Sequence, residues 1–238
     1  PNLEGVFLTK VTLAGEVLPV LALQEHEPQP TGGASVASVA AGGYAAVWHT
    51  EVGAEDETDI RLSLLTSDLV PGSAMTVNTK TEGRQYHPDI SSWPEGGFVV
   101  VWASQKGPDQ PNDYDICAQF FDDAGTKIGE EFMVHESSPD DNRAPTVSSR
   151  PDGAAFLAWT RNDSSQRGVH YALVAGPAEY SQAQLANVFE LDEQYVGGSA
   201  VFADSSTVVV WHTQGNYYSE YKGIFAQRFN ADGTKKYH

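Results

Sequence analysis

Carboxylates gather in two stretches of this chain: Glu51, Glu55, Asp56, Glu57 and Asp59 in the first, and Asp109, Asp113 and Asp115 in the second. Loop carboxylates are what a hard cation such as calcium takes, with six to eight oxygens at about 2.3–2.6 Å. The same residues also read as a solvated acidic coat, since 32 acidic against 14 basic residues give a net charge of −18. A third stretch is aromatic, with Tyr217, Tyr218 and Tyr221. Tyrosines set among polar groups stack on sugars or on partner surfaces with little entropic cost, and they also serve as packing between strands. His49 and His212 each directly follow a tryptophan, His135 follows the last strand of a unit, and His26 and His87 fall in the connections from one unit to the next. Neutral imidazole ligates transition metals or haem, but no His-x-x-x-His spacing fixes a pair, so these residues read first as polar residues of a rim. Neither a Gly-x-Ser-x-Gly elbow, nor a phosphate-binding loop, nor a zinc-protease motif is present. The carboxylates leave room for an acid/base pair of the glycosidase kind, without singling out two. The single cysteine, Cys117, lies in an apolar run and reads as a buried thiol; it cannot form an intramolecular disulfide.

The elements that position these residues repeat. Gly42-Gly43-Tyr44-Ala45-Ala46-Val47-Trp48 recurs as Gly96-Gly97-Phe98-Val99-Val100-Val101-Trp102. Looser copies end at Trp159 and Trp211, so the tryptophans follow at intervals of 54, 57 and 52 residues. A second block alternates with the first, from Ile116 to Lys127 and again from Ile224 to Lys235, with a worn copy from Val6 to Gly15. Short β-branched and aromatic runs bounded by glycine are strands, and the Asp-Asp-Ala-Gly-Thr and Asn-Ala-Asp-Gly-Thr stretches are hairpin turns. Continuous apolarity in Val-Val-Val-Trp implies burial on both faces. Each unit therefore predicts four strands, A to D: B ends in the tryptophan, C opens with Ile-x-Ala-Gln-Phe, and D resembles Glu131-Phe132-Met133-Val134. Units of this kind predict an all-β, β-propeller-like array of about four four-stranded antiparallel blades with a surplus half repeat. The chain divides as one repeat domain, residues 1–238, with a half repeat at 1–30 and repeats at about 31–80, 81–136, 137–192 and 193–238. The one helix-tolerant stretch is Tyr180–Asn187. In a propeller the B–C and D–A connections share a rim, which gathers the acidic loops, the tyrosines and five of the seven histidines on one side. The surplus strand must be capped or must pair with another chain.

Gly-Gly-Phe-Val-Val-Val-Trp, an acidic loop, Ile-x-Ala-Gln-Phe-x-x-x-x-Gly-Thr and then Glu-Phe-x-Val resemble the tandem β-repeats of large secreted bacterial RTX, or hemolysin-type calcium-binding adhesin-like, proteins. The resemblance is strongest over residues 96–134 and 221–235. It implies an extracellular, cell-surface or periplasmic setting and a role in adhesion or matrix, without known catalysis. The glycine-aspartate nonapeptides that bind calcium in such proteins are missing here. So are the Asp-x-Asp-x-Asp-Gly loop of integrin-type blades and the Ser-x-Asp-x-Gly-x-Thr-Trp box of sialidases. The charge argues against nucleic acid and anionic membranes as partners. No stretch approaches the roughly 20 apolar residues of a membrane span. The chain opens at Pro1 without a basic segment leading into an apolar one, so no signal peptide is read, as in a processed or excised fragment. The expectation is a non-catalytic binding or assembly module, joined to further protein copies or a larger assembly and requiring no cofactor, with calcium compatible. The alternatives are a lectin-like or calcium-binding propeller with its ligand on the loop rim, and a carbohydrate-active enzyme.

Overall fold

A computed structural model describes residues 5–25, 31–52, 57–107, 110–136, 139–162, 167–187, 193–214 and 222–236. All elements among them are strands. β1 (Gly5–Leu8) and β2 (Leu21–Glu25) pair as a two-stranded sheet. Blade I contains β3 (Thr31–Ser38), β4 (Tyr44–Glu51), β5 (Thr58–Leu65) and β6 (Met75–Thr76), hydrogen-bonded in that order. Blade II follows with β7 (Gln85–Ser92), β8 (Phe98–Gly107), β9 (Gln110–Phe121) and β10 (Lys127–Met133). Blade III has β11 (Asp141–Ser149), β12 (Ala155–Asn162) and β13 (Arg167–Gly176), with both β14 (Glu179–Tyr180) and β15 (Gln184–Leu185) on its outer edge. Blade IV is β16 (Glu193–Val201), β17 (Thr207–Gln214), β18 (Gly223–Phe229) and β19 (Lys235–Lys236). The four blades and the surplus half repeat thus stand as the repeat predicts. The stretch Tyr180–Asn187 is a correction: it is two short strands on β13, because pairing with an existing edge satisfies backbone groups that a free helix would have had to satisfy alone.

Blades II, III and IV each bury their tryptophan face on the preceding blade. Val47, Ile60 and Leu62 of blade I pack with Val100 and Trp102 of blade II. Val101, Ile116 and Ala118 of blade II meet Leu157 and Trp159 of blade III. Ala158 and Val169 of blade III meet Val209 and Trp211 of blade IV. Val99, Val100 and Val101 are all fully buried, as an unbroken apolar run requires of a strand covered on both sides. Trp102 and Trp159 also donate Nε1–H to the amide oxygens of Gln85 (3.1 Å) and Asn142 (3.0 Å) on their own inner strands. The turn glycines are needed for space as well as φ. At Gly97 (φ +79°) a Cβ would strike the carbonyl oxygen of Phe121.

Polar groups repeat with equal regularity. Asn78 and Asn187, just past the fourth strand, accept the first core N–H of strand C, from Ile60 (2.8 Å) and Val169 (2.9 Å). His135 does the same in blade II, with Nε2 accepting from Ile116 N–H (3.1 Å). Its Nδ1 lies 2.9 Å from the Glu136 carbonyl oxygen, so the proton sits on Nδ1 and the ring is neutral. Burial lowers its pKa accordingly. The inner strands are laced together by Asp89. Its carboxylate accepts from Ser35 of blade I (2.7 Å) and from Thr146 (3.1 Å) and Val147 N–H (2.9 Å) of blade III.

Replacement of His135 separates its acceptor role from mere bulk. His135→Asn keeps stability near that of the parent, whereas His135→Leu strands the Ile116 N–H and costs about 1–3 kcal/mol in urea unfolding. Equal losses for the two variants contradict the assignment.

Candidate functional site

Strand A begins and strand B ends on the same rim, and a bulge re-aims the inner strand there. The register slips between Gly32 and Ser35, between Tyr86 and Asp89, and between Arg143 and Thr146. Within these slips Gly33, His87 and Ala144 have φ of 56°, 52° and 49°. The bulge is thus the same device in three blades, and it throws the preceding side chains onto the rim. Left-handed backbone at the non-glycine residues is held by the paired strands on either side.

His49, at the end of β4, gains its place from the absence of neighbours. A Cβ on Gly32 or Gly33 would lie 3.0–3.2 Å from its ring. The ring packs edge-on against Tyr86 (4.9 Å between centroids) and 6.3 Å from His87. Tyr86 in turn lies 6.2 Å from Tyr114, over which the Arg143 guanidinium sits at 4.9 Å. Arg143 Nε donates to Asp141 (2.6 Å), whose other oxygen accepts from Tyr114 N–H (3.2 Å). Residues from blades I, II and III thereby form one aromatic, imidazole and guanidinium group, in which Tyr114 and Asp141 are buried and His87 is exposed. Desolvation, followed by the neighbouring His87, lowers the pKa of His49 from 6.5 to about 4. His87 keeps much of its surface open, and its pKa is lowered first by desolvation and then by Arg143. Desolvation raises the Asp141 pKa against the opposing pull of Arg143.

A second group lies on the same rim between blades III and IV. Tyr195 stacks on His212 (5.2 Å, 15°) and lies beneath Arg167 (5.1 Å). Its hydroxyl donates to Glu193 (2.6 Å), and Arg167 bridges to both.

His49 and His212 thus belong to two aromatic groups. Asp59 accepts from the Asn78 side-chain amide (2.7 Å), and Asp115 faces Lys106 at 3.6 Å and His135 at 3.8 Å. Glu57 and Asp113 are partly exposed. Glu55, Asp56, Asp109, Tyr217, Tyr218 and Tyr221 lie outside the described residues, as does His26. Among the described residues no three of His, Cys, Asp and Glu converge as a metal site would require. Sequence reading passed over Tyr86, Tyr114, Arg143, Asp141, Tyr195 and Arg167. A signal was available, because Tyr86, Arg143 and Tyr195 hold the same place before each inner-strand bulge. Cys117 is inert, its thiol pKa pushed up by burial.

The folded-state pKa of His49 lies below that of the unfolded chain, so the unfolded form takes up the proton first. Its contribution to stability is complete above 6.5 and is lost as pH falls toward about 4. Thermal unfolding followed between about pH 7 and pH 4 will show a shallower acid decline in His49→Gln than in the parent. Parallel curves contradict the burial of a neutral ring.

No family model and no curated protein matches the sequence. Solved structures do match the fold. An α-L-arabinofuranosidase from Lactobacillus brevis superposes with a TM-score of 0.59 at 12% identity, over 92% of this chain and 81% of that one. A GH43 endo-arabinanase from Bacillus licheniformis gives 0.54 at 11%, over 98% and 90%. The GH93 α-L-arabinofuranosidase of Fusarium graminearum, in complex with arabinobiose, gives 0.60 at 12%, over 86% and 68%. These neighbours are five-bladed β-propeller glycoside hydrolases, and at such identity the likeness carries the fold alone. Carbohydrate-active enzymes as the bearers of this fold overturn the expectation of a non-catalytic adhesion or assembly module. The inner strands converge and bring side chains of three blades together at one end of the sheets.

Proposed function

We propose that this chain is a carbohydrate-active propeller that takes its glycan on the rim where its inner strands begin. The observation that carries the reading is the joining of Tyr86, Tyr114, His49, His87, Arg143 and Asp141 from three blades on that face. The partly exposed Tyr86 ring offers a face to the apolar side of a sugar, and guanidinium and imidazole groups meet its hydroxyls. Asp141 is buried and both its oxygens are engaged, by Arg143 Nε and by Tyr114 N–H, so it fixes the guanidinium that meets the glycan. The group around Tyr195 offers a second sugar contact further along the rim. The reading requires no cofactor. An extracellular, cell-surface or periplasmic setting, where polymeric glycans are met, fits it. The arabinan-acting neighbours name the first substrates to try.

Arabino-oligosaccharides and an aryl α-L-arabinofuranoside, followed by a wider glycan panel, are the test. Arg143→Ala and Tyr86→Ala each raise KM about tenfold with a smaller effect on kcat. Absence of both turnover and binding across the panel, or variants indistinguishable from the parent, overturns the proposal.

A further inference from the structure

Repeat positions that are buried in three blades are open in the fourth. Val47, Val101 and Ala158, each directly before its tryptophan, are fully buried, whereas Val210 is 38% exposed. Ile60, Ile116 and Val169, which open strand C, are also fully buried, whereas Ile224 is 78% exposed. In blades I to III this face receives the tryptophan of the next blade. The contrast therefore marks a blade-to-blade interface of the established kind with one side open.

The two-stranded sheet shows the complementary feature. By the repeat, β1 is a C strand and β2 a D strand. In every complete blade, strand C pairs with strand B on the edge that β1 leaves unpaired among the described residues. Phe7 holds the place of Phe225, which packs on blade III, yet Phe7 is 40% exposed. Val6, on the other face, is buried. The half blade thus has a covered side, and its open edge and open face are the ones a tryptophan-bearing strand would occupy.

We infer that the edge of β1 and the outer face of blade IV are together the seat for one further A–B hairpin of this same repeat type, which completes a fifth blade. The register of the complete blades places its tryptophan opposite Phe7, as Trp211 stands opposite Phe225. The indole then covers Val210 and Ile224. The occupant follows from the complete blades, in each of which strand C is covered by an A–B hairpin that ends in a tryptophan. It is a Gly-x-Val-Val-Val-Trp hairpin of this repeat type. An apolar face and a bare strand edge are otherwise sites of aggregation.

The chain supplies its own probe. A second copy of residues 186–214, which contain a D–A connection and an A–B hairpin, is appended after His238. The extended protein gains a higher Tm, less dye binding to exposed apolar surface, and amide exchange at Gly5–Leu8 slowed about tenfold or more. Ile224→Asp in the native blade IV leaves the parent chain's Tm nearly unchanged but removes the gain in the extended one. An appended hairpin that leaves Tm and amide exchange unaltered overturns the inference. So does a parent chain that light scattering shows to be a dimer dispersed by Ile224→Asp, since a second copy is then the occupant.

Discussion

No blade of this protein can bury its own apolar face. A four-stranded sheet carrying Val-Val-Val-Trp is covered on both sides only when a neighbour stands against each. Trp102, Trp159 and Trp211 each enter the valine and isoleucine face of the blade before, so the fold depends on that one contact, repeated. Burying such side chains contributes about 1.5–3 kcal/mol each by area, more than the single hydrogen bonds around them. It therefore decides the order and spacing of the blades. The polar repeats refine that arrangement: Asn78, His135 and Asn187 satisfy the amide each strand C would otherwise bury, and Asp89 ties three inner strands together.

Function follows from the ends of these strands. The pleat that sends valines between blades must be interrupted where the inner strand reaches the rim, and the bulge at Gly33, His87 and Ala144 interrupts it. Side chains just before the bulge no longer alternate into the interfaces, so Tyr86 and Arg143 reach the rim face. A small residue pair, Gly32-Gly33, then leaves room for the His49 ring. The open cleft of about 320 Å³ between Tyr44, Leu64, Pro71 and Gly72 lies on the opposite rim, with the hairpin turns. Its apolar lining belongs to a gap between turns and not to this chemistry.

Histidine illustrates how alike residues part company in the folded chain. His135 and His49 both follow strands and both have lowered pKa values through burial. Yet His135 replaces an asparagine as an acceptor for a backbone amide, whereas His49 stands among aromatic rings with a buried Nδ1 that lacks a hydrogen-bond partner among the described residues. Sequence position placed both on the rim side. Only the surrounding atoms separate a structural imidazole from one in a candidate site.

From the sequence alone came the strand types, the repeat, the surplus half unit and the turns, because period, β-branching and glycine are local properties; at Tyr180–Asn187 pairing with the β13 edge overruled the local reading. The carboxylate loops drew attention as a cation site for equally local reasons; of their residues the structure ties Asp59 to Asn78 and sets Asp115 beside Lys106, while Glu55, Asp56 and Asp109 lie outside the described residues. Tertiary structure alone decided that Tyr86, Tyr114, His49, Arg143 and Asp141 meet in one group, since they lie up to 94 residues apart and come together only through blade packing and the bulge. It also decided which copy of each repeated apolar position is covered. Identical sequence patterns specify the same strand, whereas burial depends on what stands beside it.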